Sequence, residues 1–164
     1  MNEEAATEQD LAFLRQAIEL ARSARAHGAH PFGALIVDEH GQVLVTARNN
    51  AVRPAGDPTQ HAERLACSKI GRQFTEAQLA SCTLYTSTEP CAMCSGAIYW
   101  TGIGRVVYAL SEKGLYSYTG SHEENPTLDL PCREVFARGQ RPTKVTGPLL
   151  EEEAGQVHEG FWTK

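Results

Sequence analysis

The spacing of hydrophobic and polar positions predicts a helix near the start of the chain. Apolar residues recur there three or four positions apart, as they do on one face of an amphipathic helix. These residues are Leu11, Leu14, Ile18 and Ala21. Thr7 is the predicted N-cap, and the helix is predicted to end near Gly28. Residues 1–7 are predicted to form a loose tail.

The pattern then changes to short apolar runs, which predict strands. Residues 33–37 and 43–47 are two such runs, and the turn residues between them surround Gly41. Because the connection is short, the two runs are predicted to form a hairpin.

Strand and helix patterns alternate along the rest of the chain. The predicted segments are a helix over 57–70, a strand over 83–87, a helix over 91–101, a strand over 105–110, a short helix over 129–138, a strand over 144–147 and a helix over 149–162. Residues 111–126 are predicted to be a surface loop or lid. This order favours an α/β fold, a three-layer α/β/α sandwich with a mixed five-stranded sheet, in a single domain over residues 1–164.

Composition and charge restrict the partners. The hydrophobic fraction of 41% and the charged fraction of 21% are typical of a globular protein. A formal charge of −5 argues against a nucleic-acid partner, which attracts Lys and Arg. The N-terminal residues are polar and acidic, and no apolar run is long enough to span a membrane, so we expect a cytoplasmic protein without membrane contact.

Two short motifs carry the candidate chemistry. His61 and Glu63 fall at one predicted helix start, and Cys91 and Cys94 fall at another. The two cysteines are three residues apart, so both sulfurs can reach one ion from the same helix face. His61 and Glu63 are about 200° apart around a helix, so they share a site only near its N-terminal end, where side chains lean over the opening. We therefore predict that His61, Cys91 and Cys94 bind one Zn²⁺ at two helix tips.

This donor set predicts a catalytic ion. Three protein ligands leave the fourth position of a tetrahedral zinc ion for water. Zinc lowers the pKa of bound water from about 15.7 toward about 7, which makes hydroxide available at neutral pH. Attack on an amidine-like ring carbon also requires a proton for the ring nitrogen and then for the departing amine. Glu63 is the predicted acid and base.

The same residues resemble those of a known family. His-x-Glu followed by Pro-Cys-x-x-Cys is similar to the signature of the cytidine-deaminase-like zinc deaminases, in which the Glu is the acid and base and not a ligand. Further similarity is dense from residue 31 to 110 and most resembles bacterial guanine deaminases, followed by tRNA adenosine deaminases. It lies in 31–34, 49–50, 57–63 and 86–100. The resemblance implies a hydrolase that replaces an exocyclic amine of a free nucleobase or nucleoside by oxygen and releases ammonia.

The resemblance also implies roles for residues around the metal. Asn49 would hydrogen-bond the ring, the Ala62 backbone would contact its reacting edge, Phe32 would line the pocket, and the Ser87 carbonyl would meet the leaving amine. Further candidates for substrate binding are His122, Glu123, Glu124 and Trp100. By the same resemblance we expect a homodimer, in which the C-terminal segment could complete a partner's pocket.

Three other functions share parts of this pattern. A Cys-x-x-Cys pair is also typical of thioredoxin-like redox sites and of structural zinc sites, although the latter normally have a fourth protein ligand. A tRNA-editing adenosine deaminase has the same motif but would favour a basic, aromatic surface around it. Two alternatives to a small-molecule deaminase therefore stay open: an RNA-editing enzyme, and a non-catalytic zinc or redox module.

No catalytic or metal-binding role is predicted for the remaining cysteines and histidines. Cys67, Cys82 and Cys132 are predicted to be small core residues. Surface positions are predicted for five histidines, which are His27, His30, His40, His122 and His158. Of these, only His122 is predicted to be able to face the substrate pocket.

Overall fold

The computed structural model describes residues 5–51 and 55–163. The helices are α1 (Glu8–Ala26), α2 (Ala62–Ile70), α3 (Glu76–Leu79), α4 (Ala92–Thr101), α5 (Glu112–Thr119), α6 (Cys132–Ala137) and α7 (Glu151–Gln156), and the strands are β1 (Gly33–Val37), β2 (Val43–Arg48), β3 (Thr83–Thr88), β4 (Arg105–Leu110) and β5 (Lys144–Thr146). Within these residues, no helix has the combination of length and apolar character that a membrane span requires.

The strands form a mixed five-stranded sheet in the order β2-β1-β3-β4-β5. Strand β1 is antiparallel to β2 and β3, whereas β3, β4 and β5 are parallel. The predicted hairpin is confirmed, and Gly41 in its turn has a φ of 81°, which glycine adopts without strain.

Helices cover both faces of the sheet. Successive strand residues point to opposite faces, so Ala34 and Ile36 of β1 belong to a core cluster with α2, α4 and α6. Leu35 and Val37 belong to a second cluster with α1, α5 and α7. This arrangement confirms the predicted α/β/α sandwich.

A buried ion pair fixes α1 against the sheet. Arg105, the first residue of β4, donates two hydrogen bonds to the Asp10 carboxylate at 2.8 and 2.9 Å. The Tyr85 hydroxyl donates a third at 2.7 Å. Burial alone would raise the pKa of Asp10, but these bonds and one from the Thr7 backbone hold it well below its ordinary value. The network therefore lies at the amino-terminal end of β4, at the sheet edge opposite the carboxyl ends of the parallel strands.

The predicted start of the second helix at residues 57–59 is wrong. The Asp57 carboxylate accepts hydrogen bonds from the backbone N–H and the hydroxyl of Thr59 at 2.9 and 2.7 Å, which forms a local turn instead. Helix α2 begins at Ala62, with His61 as its N-cap. His61 and Glu63 therefore lie at the N-terminal tip of α2.

Residues 111–126, which were predicted to be a loop, contain helix α5. The Ser111 side chain caps it by accepting a hydrogen bond from the Gly114 backbone at 3.0 Å. Leu115 and Thr119, one turn apart, are buried. Packing therefore overrides the weak helix preference of this glycine- and serine-containing segment. The four-residue helix α3, which begins with a Thr75–Gln78 capping box, was not predicted.

The C-terminal helix is shorter than predicted. Helix α7 ends at Gln156, and the chain then turns, with Gly160 at a φ of 72°. Arg25 of α1 donates hydrogen bonds to the carbonyls of Val157 and Glu159, both at 2.7 Å. These bonds satisfy carbonyls that a continued helix would have used internally.

The predicted short helix near residue 129 begins at Cys132. The prediction of core positions for Cys67, Cys82 and Cys132 is confirmed, since all three are buried. The surface prediction is wrong for His158, which is 2% exposed. Of the predicted tail, residues 1–4 lie outside the described residues, and Thr7 caps α1 as predicted.

Candidate functional site

The candidate site lies at the carboxyl edge of the sheet, where β3 and β4 end. His61 is the N-cap of α2, and Cys91 is the N-cap of α4. The positive ends of both helix dipoles therefore meet at this edge and stabilise cysteine side chains in their thiolate form. In α/β sheets, ligands commonly bind at such an edge.

His61, Cys91 and Cys94 are close enough to bind one metal ion. Their ligand atoms all lie within 4.8 Å of one another. The His61 Nδ1 atom is 3.6 Å from the Cys91 sulfur and 3.7 Å from the Cys94 sulfur. Zn–S bonds of about 2.3 Å and a Zn–N bond of about 2.1 Å in a tetrahedron would put these atoms about 3.6 Å apart. The donor set and its spacing fit zinc with Nδ1 of His61 as the nitrogen ligand.

The two sulfurs share a proton in a way that prepares them for a metal. Hydrogen bonds from Cys94 and with His61 lower the pKa of the Cys91 thiol to about 4. The pKa of Cys94 is raised, because its thiol donates to Cys91 and because it is buried. The Cys91 thiol therefore loses its proton more readily than an ordinary cysteine, and zinc binding would displace the proton that remains on Cys94.

Glu63 is buried beside these sulfurs. Burial raises the pKa of its carboxyl to about 7, and the charge on Cys91 acts in the same direction. Near neutral pH such a group can both hold and release a proton, which is the condition for general acid–base chemistry.

A cavity of about 310 Å³ opens over the metal-ligand residues. Its volume is at the lower end of the range for small-molecule sites. The residues that line it are His30, Phe32, Asn49, Ala51, Pro58, His61, Glu63, Thr88, Glu89, Cys91, Met93, Glu112, Leu115, Glu124, Asn125, Pro126 and Leu128. Among these described residues there are four glutamates and no Lys or Arg, so the cavity disfavours anionic groups.

Two of these glutamates, Glu89 and Glu112, lie close together where α5 begins. The Glu89 carboxylate accepts hydrogen bonds from the backbone N–H groups of Glu112 and Cys132 at 3.0 and 2.9 Å. It thereby ties the first residues of α5 and α6 to the end of β3. Burial raises the pKa of Glu112 to about 7, and Glu89 acts in the same direction.

A second wall of the cavity is formed by His30, Phe32 and Glu124. The His30 Nε2 atom lies 3.1 Å from a Glu124 carboxylate oxygen. Trp162 packs behind both aromatic wall residues, with ring centroids 4.9 Å from His30 and 6.3 Å from Phe32. The C-terminal segment therefore supports this wall within its own chain.

Five of the eight predicted substrate-contact residues lie in the cavity wall or next to it. Phe32, Asn49 and Glu124 line the cavity. Ala62 and Ser87 are buried next to lining residues.

His122, Glu123 and Trp100 do not line the cavity, so the structure does not bring them to the site. His122 packs against Trp162 instead, with ring centroids 5.4 Å apart. Glu123 is exposed. Trp100 is 77% exposed near the far end of α4, because it lies two turns beyond the helix tip that carries Cys91.

Sequence reasoning missed His30, Glu89 and Glu112. Glu89 directly precedes the Pro-Cys motif, which was the one available signal for it. His30 and Glu112 reach the cavity through tertiary packing, and no local pattern marks them.

Comparison with known proteins places these residues in a wider context. A family model for the cytidine and deoxycytidylate deaminase zinc-binding region matches residues 7–110. A probable cytosine deaminase of Schizosaccharomyces pombe is 47% identical over 95% of this chain and 94% of its own length. A tRNA-specific adenosine deaminase of Haemophilus influenzae is 30% identical over 96% of this chain and 86% of its own. A solved guanine deaminase structure from Nitrosomonas europaea has a TM-score of 0.70 at 27% identity and covers 96% of this chain and 85% of that one.

Proposed function

Because the chain belongs to the cytidine and deoxycytidylate deaminase family of zinc-binding hydrolases, we propose that its substrate is a free nucleobase or nucleoside that binds over His61, Cys91 and Cys94. The observation that carries the proposal is the buried carboxyl of Glu63 beside this ligand set, inside a cavity of about 310 Å³. A non-catalytic zinc or redox module would have no use for such an acid.

The reaction adds water to a ring carbon and releases the amine from it. When zinc is bound, it supplies the nucleophile by activating a water molecule. Glu63 takes up a proton from that water and delivers it to the adjacent ring nitrogen. Glu63 then takes the proton of the newly formed C–OH group and transfers it to the exocyclic amine as the carbon–nitrogen bond breaks, which leaves a ring carbonyl and ammonia. Burial raises the pKa of the Glu63 carboxyl, which favours its uptake of the first proton.

Three lining residues are proposed to orient the ring. The Asn49 side-chain oxygen accepts a hydrogen bond from the Ala51 backbone at 2.9 Å, so its amide nitrogen is the group that can donate to a ring acceptor. Phe32 offers an apolar surface to one side of the ring. The Glu124 carboxylate can accept from a ring N–H group.

The backbone groups of Ala62 and Ser87 are proposed to contact the reacting edge, as the family resemblance implies. Their support is positional. Ala62 lies between two lining residues and Ser87 precedes a third, Thr88.

A transfer-RNA substrate is the alternative, and several relatives are named for it. The glutamate-rich lining and the formal charge of −5 favour a small uncharged ring instead, since neutralising phosphates requires Lys and Arg.

We expect ammonia release from at least one free base or nucleoside in a panel of guanine, cytosine, adenine, guanosine and cytidine, with tRNA as a further substrate. The sequence motifs predict a guanine-like preference, whereas the relative with 47% identity is a probable cytosine deaminase. Guanine and cytosine are therefore the first pair to compare. Inosine formation in tRNA, with no turnover of any small ring by zinc-loaded protein, would contradict the proposal.

We also propose that residues 1–164 act as one deaminase domain and that two chains form a homodimer. One sheet carrying both helical layers supports the first proposal. The family resemblance and the exposed Trp100 on α4 support the second. Light scattering should give twice the mass of one chain at micromolar concentration, and a mass of one chain would reject the dimer.

A further inference from the structure

We propose that His30 is a positioning residue for the substrate cavity, which holds the Glu124 carboxylate in place while the C-terminal aromatic residues hold His30. This inference rests on the proposed function, because it concerns how the same cavity binds its ring. It assigns a role to a histidine outside the two motifs that predict the metal site.

The first observation is the pairing of two lining residues from distant parts of the chain. His30 lies in the turn between α1 and β1, and Glu124 lies beyond α5. Their side chains meet at 3.1 Å, with exposures of 13% and 35%. The Glu124 backbone N–H also donates to the His122 ring at 3.1 Å. Glu124 is therefore held at both its backbone and its carboxylate.

The second observation is a set of aromatic contacts that fix the His30 ring. Trp162 packs against it with ring centroids 4.9 Å apart, and Phe161 makes a T-shaped contact with it at 5.8 Å between centroids. Trp162 is itself fixed, because its indole N–H donates to the buried His158 ring at 3.1 Å. Arg25 holds Phe161 through its guanidinium, 5.5 Å from the ring centroid.

These contacts link the C-terminal segment to the orientation of a carboxylate in the cavity. A glutamate side chain on a loop loses rotamer entropy when it binds a ligand, and this loss weakens binding. If His30 has already restricted Glu124, much of this cost is removed before the substrate arrives, and affinity improves. His30 should therefore affect substrate affinity much more than the chemical step.

The test compares steady-state kinetics of wild type and His30→Ala on the ring that wild type turns over fastest. We expect KM to rise about tenfold, kcat to change less than threefold and zinc content to stay the same. His30→Gln, whose amide can reach Glu124, should recover part of the KM. Glu124→Gln should raise KM at least as much, because it changes the carboxylate that contacts the ring, and the double variant should add little more, since His30 acts through Glu124.

The matched control is His40→Ala, because His40 also pairs with a glutamate, Glu39 at 3.7 Å, but is 81% exposed away from the cavity. It should leave both constants unchanged. Additive effects in the double variant, or a fall in kcat without a rise in KM, would overturn the proposal.

Hydrogen exchange gives a readout that does not depend on activity. Backbone amides of residues 122–125 should exchange several-fold faster in His30→Ala than in wild type, and His40→Ala should not differ from wild type. Unchanged exchange in His30→Ala would refute the positioning role even if no substrate in the panel were turned over. Failure of the panel with faster exchange would instead refute the proposed function alone.

Discussion

Replacing Glu63 by Gln should reduce kcat by at least about a thousandfold and leave zinc bound. The amide cannot carry the two protons that the reaction moves, and a single general acid–base group typically contributes about 10²- to 10⁴-fold. The size and burial of the side chain hardly change. The measurements are ammonia release and zinc per chain by mass spectrometry on the same purified sample.

The control for this substitution is Glu39→Gln, which makes the same chemical change on a side chain that is 63% exposed in the β1–β2 turn. It should keep full activity. Two results would contradict the role of Glu63. Turnover close to the wild-type rate would show that another group moves the protons, and loss of zinc would show that Glu63 is a ligand.

Replacing Cys91 by Ser should abolish both zinc binding and turnover. Loss of a partner that only orients a ligand already lowers metal affinity about 10- to 100-fold, so the loss of a ligand itself should exceed a hundredfold. The hydroxyl is a poor substitute, because its proton is not displaced as readily as that of a thiol whose pKa is about 4. Zinc content after dialysis against a weak chelator measures the effect.

Cys67→Ala is the matched control. Cys67 is a buried thiol on α2, one turn beyond Glu63, and burial raises its pKa to about 12. Its removal should weaken packing slightly but leave zinc content and kcat unchanged. Equal loss of zinc in both variants would indicate general unfolding and would contradict the specific role of Cys91.

The metal-ligand set could be predicted from the sequence because its information is local. Cys91 and Cys94 are one helical turn apart, and His61 and Glu63 share another helix start, so helix geometry alone limits how they can meet. The hairpin and the central strands were predictable for the same reason, since apolar runs bounded by turn residues determine them.

The second wall of the cavity, which contains His30 and Glu124, could not be predicted from local sequence patterns. His30 and Glu124 are 94 residues apart in sequence and meet only after the sheet and α5 have formed. The sequence predicts a surface position for His158, but burial in an aromatic cluster lowers its pKa to about 4. Helix α5 was missed because its stability comes from the burial of Leu115 and Thr119, which depends on other elements.

Zinc X-ray absorption spectroscopy of the purified protein tests the central claim most directly. We expect one zinc per chain with two sulfur ligands at about 2.3 Å and two nitrogen or oxygen ligands at about 2.0–2.1 Å, which correspond to Cys91, Cys94, His61 and one exchangeable position. A shell of three or four sulfurs would mean that another cysteine closes the site, and it would contradict a catalytic ion.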